Sequence, residues 1–159
     1  MAGTFNLNSI MDFTQIKTQL VELVIPSGSN LVNFTFDFQQ FLQQKNIISI
    51  EVLTFADCPV SPLGNTVLTY AQISGAFMTL YGANPEDISS KGIWLSEIPL
   101  PTLHRINNLA DPYVYDLFTL MPRTIVWEKS KIITPGGAIA PDTQSSFLFQ
   151  VGYSGNAGD

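Results

Sequence analysis

Between residues 31 and 38 polar and apolar positions alternate: Asn33, Thr35 and Asp37 fall between Val32, Phe34, Phe36 and Phe38. Successive side chains of a strand point to opposite faces, so the second set forms one apolar face that belongs in a core. The same period returns near the end of the chain, where residues 146–153 place Phe147, Phe149, Val151 and Tyr153 on one side. Segments 14–25, 47–55, 66–71, 75–81, 93–98, 102–106, 113–121 and 124–133 share the bias towards Val, Ile, Thr, Phe and Tyr, though some are short. Segment 47–55 is largely apolar on both faces and reads as a central strand. No stretch longer than about 15 residues keeps the 3.6-residue period of an amphipathic helix, which leaves about eight short strands and an all-β sandwich or barrel.

Turn residues divide these runs. Residues 26–30, Pro-Ser-Gly-Ser-Asn, make a turn, and 39–45 hold good helix formers for one or two helical turns. Residues 57–65 read as a loop, because Pro59 and Pro62 each remove a backbone donor and fix φ. A second loop is expected over 82–92, an extended segment at 99–101, and turns at 107–112 and 134–137. At the N-terminus Phe5, Leu7, Ile10, Met11 and Phe13 are apolar and charge is almost absent. This is not the composition of a solvated tail, so residues 1–13 are expected to form an arm held by a neighbouring chain. The plainer alternative is an arm folded back on its own domain. The expected division is an arm over 1–13, a β-sandwich domain over 14–153 and a glycine-rich tail over 154–159.

The 159 residues suit one domain, long enough to fold around its own core without metal or disulfide. Charged residues make up 13% of the chain, against about 25% in an average soluble protein. The net charge of -6 offers no footprint for a phosphate backbone, so no nucleic-acid partner is expected. No apolar run exceeds three residues, far from the ~20 of a membrane-spanning helix and too short for a signal-peptide core. Synthesis in the cytoplasm without membrane insertion is therefore expected. In place of charges stand 13 Ser, 13 Thr, 10 Asn and 9 Gln, beside 11 Phe, 5 Tyr and 2 Trp. Interfaces are depleted in Lys, Glu and Asp at their centres and enriched in aromatics, so this composition favours a subunit surrounded by other subunits. The competing explanation is a small β-protein with Ser, Thr and Asn on its solvent faces.

Candidate chemistry is sparse. With one histidine, His104, and one cysteine, Cys58, a multi-histidine or thiolate zinc site is impossible within one chain. A Cys58–His104 dyad is the one thiol mechanism open, and nothing in the spacing brings the two together. A serine triad would need His104 and lacks the Gly-x-Ser-x-Gly elbow. Glu86-Asp87 after Asn84-Pro85 has no calcium-loop spacing, and Gly136-Gly137 lacks the lysine and helix of a phosphate loop. Asn33-Phe34-Thr35 fits a glycosylation pattern but lies within a strand. Trp94 and Trp127 have faces suited to stacking on sugar rings, although core or subunit contact is the commoner use of such rings. No catalytic, metal or cofactor site is expected, and so no enzyme and no cofactor.

About eight short strands, an apolar N-terminal arm, proline-rich corner loops and few charges resemble the single jelly-roll vertex (penton) or minor capsid proteins of tailless icosahedral bacteriophages. No motif of that family matches residue by residue, so no functional residue is carried over. The resemblance implies a single jelly-roll (Greek-key) sandwich of about eight antiparallel strands with an extended N-terminal arm. It also implies a virion location, and partners that are copies of the chain, as a pentamer, together with other capsid proteins. The candidate subunit contacts are Phe5, Leu7, Ile10, Met11 and Phe13 of the arm, with Trp94. The alternative from another class is a carbohydrate- or receptor-binding β-sandwich, a fibre or accessory head module, with a glycan as ligand.

Overall fold

The computed structural model describes residues 17–43, 45–84, 87–104 and 124–156. The long alternating run at the end of the chain becomes β9 (Ser145–Asn156), the centre of the first sheet. β1 (Lys17–Ile25) pairs with it antiparallel from Lys17↔Tyr153 to Ile25↔Ser145. β3 (Lys45–Leu53) pairs with it antiparallel, and β4 (Thr66–Val67) continues in parallel at Thr66↔Ser145. Since Ser145 pairs with both Ile25 and Thr66, β1 lies on one side of β9 and β4 on the other.

The second sheet runs β2-β8-β5-β6, from β2 (Asn33–Thr35), β8 (Lys131–Ile133), β5 (Phe77–Asn84) and β6 (Asp87–Pro99). β7 (Thr124–Ile125) also pairs with β5, antiparallel like every other pair in this sheet. The molecule is an all-β sandwich of two sheets, antiparallel except where β4 joins β9.

The core lies between the sheets. Phe147, Phe149, Val151 and Tyr153 of β9 all point inward, as their alternation requires, and Val21, Leu23 and Ile25 of β1 join them. Phe34 meets Phe147 edge-on at 5.6 Å between ring centres, and Phe36 meets Phe149 at 5.5 Å and Trp127 at 5.4 Å. Tilted aromatic pairs of this kind add about 0.5–1.5 kcal/mol each beyond the area they bury.

Several expectations are corrected. β2 is three residues long, so the alternation of 31–38 extends past its pairing: Phe34 and Phe36 are buried, but Val32 is 48% exposed and Phe38 52%. Segment 66–71 is a strand only as far as Val67, after which Tyr70–Ile73 forms one helical turn. Thr69 Oγ1 accepts from the N–H of Gln72 at 3.2 Å while Gln72 Oε1 accepts from the N–H of Thr69 at 2.9 Å, a reciprocal cap that turns the chain out of the ladder. The loop expected over 82–92 is a continuation of the hairpin, with Gly82↔Gly92 and Asn84↔Asp87 paired and register shifts taking up the excess residues. The expected extended segment at 99–101 instead enters a 3-10 turn, Leu100–Leu103, that buries Leu100 and Leu103. A second 3-10 turn, Trp127–Lys129, splits the expected strand 124–133 into β7 and β8. β9 runs three residues past its expected end. The expected strand 113–121 and the turn 107–112 lie outside the described residues.

Candidate subunit interface

Of the residues singled out as contacts, Phe5, Leu7, Ile10, Met11 and Phe13 lie outside the described residues. Trp94 belongs to β6, next to the Tyr81↔Ile93 and Leu80↔Leu95 pairs, and its side chain also lies outside what is described. Trp127 is a core residue at 1% exposure, turned inward by the 3-10 turn, and so offers no stacking face.

A different surface emerges on the outer face of the first sheet. Because Val21 and Leu23 point inward, Glu22 between them points outward. Four donors converge on its carboxylate. Ser61 Oγ and Ser146 Oγ both donate to Oε2, Asn65 Nδ2 donates at 3.0 Å, and the N–H of Leu63 reaches Oε1 at 3.3 Å. Burial pushes this carboxyl up, and the bonds from Ser146, Ser61, Asn65 and the Leu63 N–H more than offset that, leaving it below the usual carboxylate value. A carboxylate that accepts several hydrogen bonds is favoured in its charged form.

The geometry around Glu22 explains the path of the chain. After β3 the chain leaves one side of β9, and residues 58–65 cross the outer face to reach Glu22 of β1 on the other side. This strap is bonded within itself as well: Ser61 N–H to the Asn65 carbonyl at 2.8 Å, Asn65 N–H to Ser61 Oγ at 2.9 Å, and Gly64 N–H to the Ser61 carbonyl at 2.9 Å. Gln144 Nε2 donates to Asn65 Oδ1 at 2.9 Å, tying it to the start of β9. Leu148 of β9 and Val67 are buried yet stand apart from the main core, as expected of apolar residues covered on the outer face.

With its polar groups turned inward, the strap presents apolar side chains outward. Leu63 is 71% exposed and Val60 60%, the two highest values among the large apolar residues described. Leu20, two positions from Glu22 on the same face of β1, is also exposed. Alternation could not identify these residues, since the strap has no period. A signal did exist: residues 58–85 contain no Asp, Glu, Lys or Arg.

No protein family, curated protein or solved structure matches this chain. The arrangement must therefore be read from its own chemistry. His104 Nε2 lies 2.7 Å from Asp57 Oδ2, which also accepts from the Thr54 N–H at 3.0 Å and Thr54 Oγ1 at 3.1 Å. Cys58 Sγ instead donates to the Val60 carbonyl at 3.3 Å, so the contact shown for the histidine is a carboxylate rather than the thiol. The Tyr70 ring meets the His104 ring edge-on at 5.4 Å. The Asp57–His104 pair joins the turn after β3 to the end of the Leu100–Leu103 turn, at the root of the strap. Among the described residues no group of three or more His, Cys, Asp or Glu is placed to hold a metal ion.

Proposed function

We propose that this chain is a structural virion protein, a single jelly-roll capsid subunit of the vertex (penton) or minor type. It assembles with copies of itself, as a pentamer, and with other capsid proteins by burying charge-poor surface. The observation that supports this reading is the strand order. In a jelly roll eight strands wrap so that the first pairs with the eighth, the second with the seventh, the third with the sixth and the fourth with the fifth. Take β1, β2, β3, β5 and β6 as strands one to five, β7 and β8 as an interrupted seventh, and β9 as the eighth.

The pairs β1–β9, β2–β8 and β5–β6 then follow that rule. The joins β9–β3 and β8–β5 agree with the orders one-eight-three and two-seven-four-five within the two sheets, while β4, parallel to β9, lies outside the rule. The strand that the rule places beside β3 is not found among the described residues.

A fold of this kind serves many functions, so the assembly part of the proposal stands on surface chemistry. A chain that is 13% charged and whose outer sheet face carries Leu20, Val60 and Leu63 suits contacts that exclude water without needing ion pairs. The location that follows is the virion, after synthesis in the host cytoplasm. The test is the native mass of the purified full chain by light scattering after size exclusion. A ring near five times 17.5 kDa is expected, and a trimer would move the reading to a capsomer or fibre. A monomer that binds glycans on an array would replace it with the carbohydrate-binding module.

A further inference from the structure

We infer that the strap face, centred on Val60 and Leu63, is where one copy of this chain contacts another. The inference rests on the assembly reading and assigns that reading a surface. Loops ordinarily run over a surface with their polar groups towards water. Here the polar groups of Ser61 and Asn65 and the N–H of Leu63 are engaged beneath or within the strap, by Glu22, by each other and by Gln144. The conformation is thus fixed without help from the two side chains that project most. Burying them against a partner orders little that is not already ordered, and this is how a preorganised contact gains affinity. A central apolar anchor on a rigid support also has the character of an interface hot spot.

Charge identifies the occupant. The exposed parts of the strap and of the Tyr70–Ile73 turn belong to the segment 58–85, which has no charged side chain. A partner selected by its charge would find nothing there to pair with. Two copies of a chain of net charge -6 repel, and they approach with least penalty through the surface from which charge is missing. Glu22 is held under the strap by four donors, and Asp57 at its root is engaged by Thr54 and His104, rather than presented to the contact. A second copy therefore fits this face better than an acidic or basic partner.

The test compares native masses of the full-length wild type, Val60→Glu, Leu63→Glu and, as an equally apolar control elsewhere on the surface, Phe38→Glu, with circular dichroism to confirm the fold. Leu63→Ser stands in if Leu63→Glu does not fold. The expected result is that both strap variants weaken self-association at least tenfold while Phe38→Glu keeps the wild-type mass. If the wild type is oligomeric and the strap variants keep its mass, this inference falls and the assembly reading stands. If only Phe38→Glu dissociates the oligomer, the contact lies elsewhere and the inference is likewise overturned. A wild type that is monomeric at every concentration removes the assembly reading, and this inference with it, and leaves the face to a different protein.

Discussion

The two faces of the β1-β9-β3 sheet are covered by different means. Inside, Phe147 packs against Phe34 of the opposite sheet and Phe149 against Phe36 just beyond it, and stability comes from area and shape. Outside, a strap of eight residues is drawn across β9 by hydrogen bonds to one carboxylate. The inner face draws its residues from many strands, so losing one contact leaves the rest. The outer face has a single hub, and its strength follows the charge on that hub. The difference teaches that a sheet in a small sandwich needs a second core on its exposed side only where a strand such as β9 places Leu148 there.

Removing the inner packing has the largest effect. Phe149→Ala leaves a cavity between the sheets at a fully buried position and is expected to lower unfolding free energy by about 3–5 kcal/mol, read from urea denaturation. Glu22→Ala is expected to cost less, about 2–3 kcal/mol, because it strands the hydroxyls of Ser61 and Ser146 without their acceptor. A loss from Glu22→Ala equal to that from Phe149→Ala would mean that the strap belongs to the main core.

The same hub gives the outer face a pH dependence that the inner face lacks. The Glu22 carboxyl lies below its ordinary value of 4.5 in the folded chain. A group lowered on folding contributes stability in full above its unfolded value and loses it as pH falls through the folded one. The stability gap between wild type and Glu22→Gln is therefore expected to be level at neutral pH and to close as pH falls below 4.5. A gap that stays constant down to pH ~2, beyond the range in which an ordinary carboxylate titrates, would show that the charge does not hold the strap.

The inner face was largely legible in the sequence and the outer one was not. Phe147, Phe149, Val151 and Tyr153 could be assigned to one face because this part of β9 keeps a period of two. Val32 and Phe38 were misplaced by the same reasoning, since alternation does not reveal where pairing stops. The full extent of the β5–β6 pairing was hidden by Gly82 and Gly92, which look like loop residues yet pair with each other. The Glu22 cluster left no local trace at all. Its side-chain donors lie 39, 43 and 124 positions away, and only folding brings them together. Of the proposed contacts, the arm was marked by its apolar composition, whereas Val60 and Leu63 were visible only through the absence of charge around them.

Gly64 tests how tightly the strap is shaped. It holds a φ of +87°, in the left-handed region, and a Cβ added there would meet no atom within 4 Å. The substitution Gly64→Ala is thus a purely conformational change, expected to destabilise by about 1 kcal/mol. A larger loss would mean that the backbone of the strap moves and weakens the bonds at Glu22, which double substitution with Glu22→Gln would reveal as non-additivity.

The smallest expected effect is the one that separates folding from assembly. Leu63 is already 71% exposed, and the bond from its position to Glu22 is made by backbone N–H, which Leu63→Ser retains. The folded chain therefore loses little apolar burial and no hydrogen bond from the substitution. Measured at a concentration where the chain is monomeric, the change in unfolding free energy is expected to stay within about 0.5 kcal/mol. A loss of 2 kcal/mol, on the order of burying a whole leucine side chain, would place Leu63 in the packing of its own subunit. An unchanged monomer stability, together with weakened association, would mean that the outward leucine contributes to assembly and not to the fold.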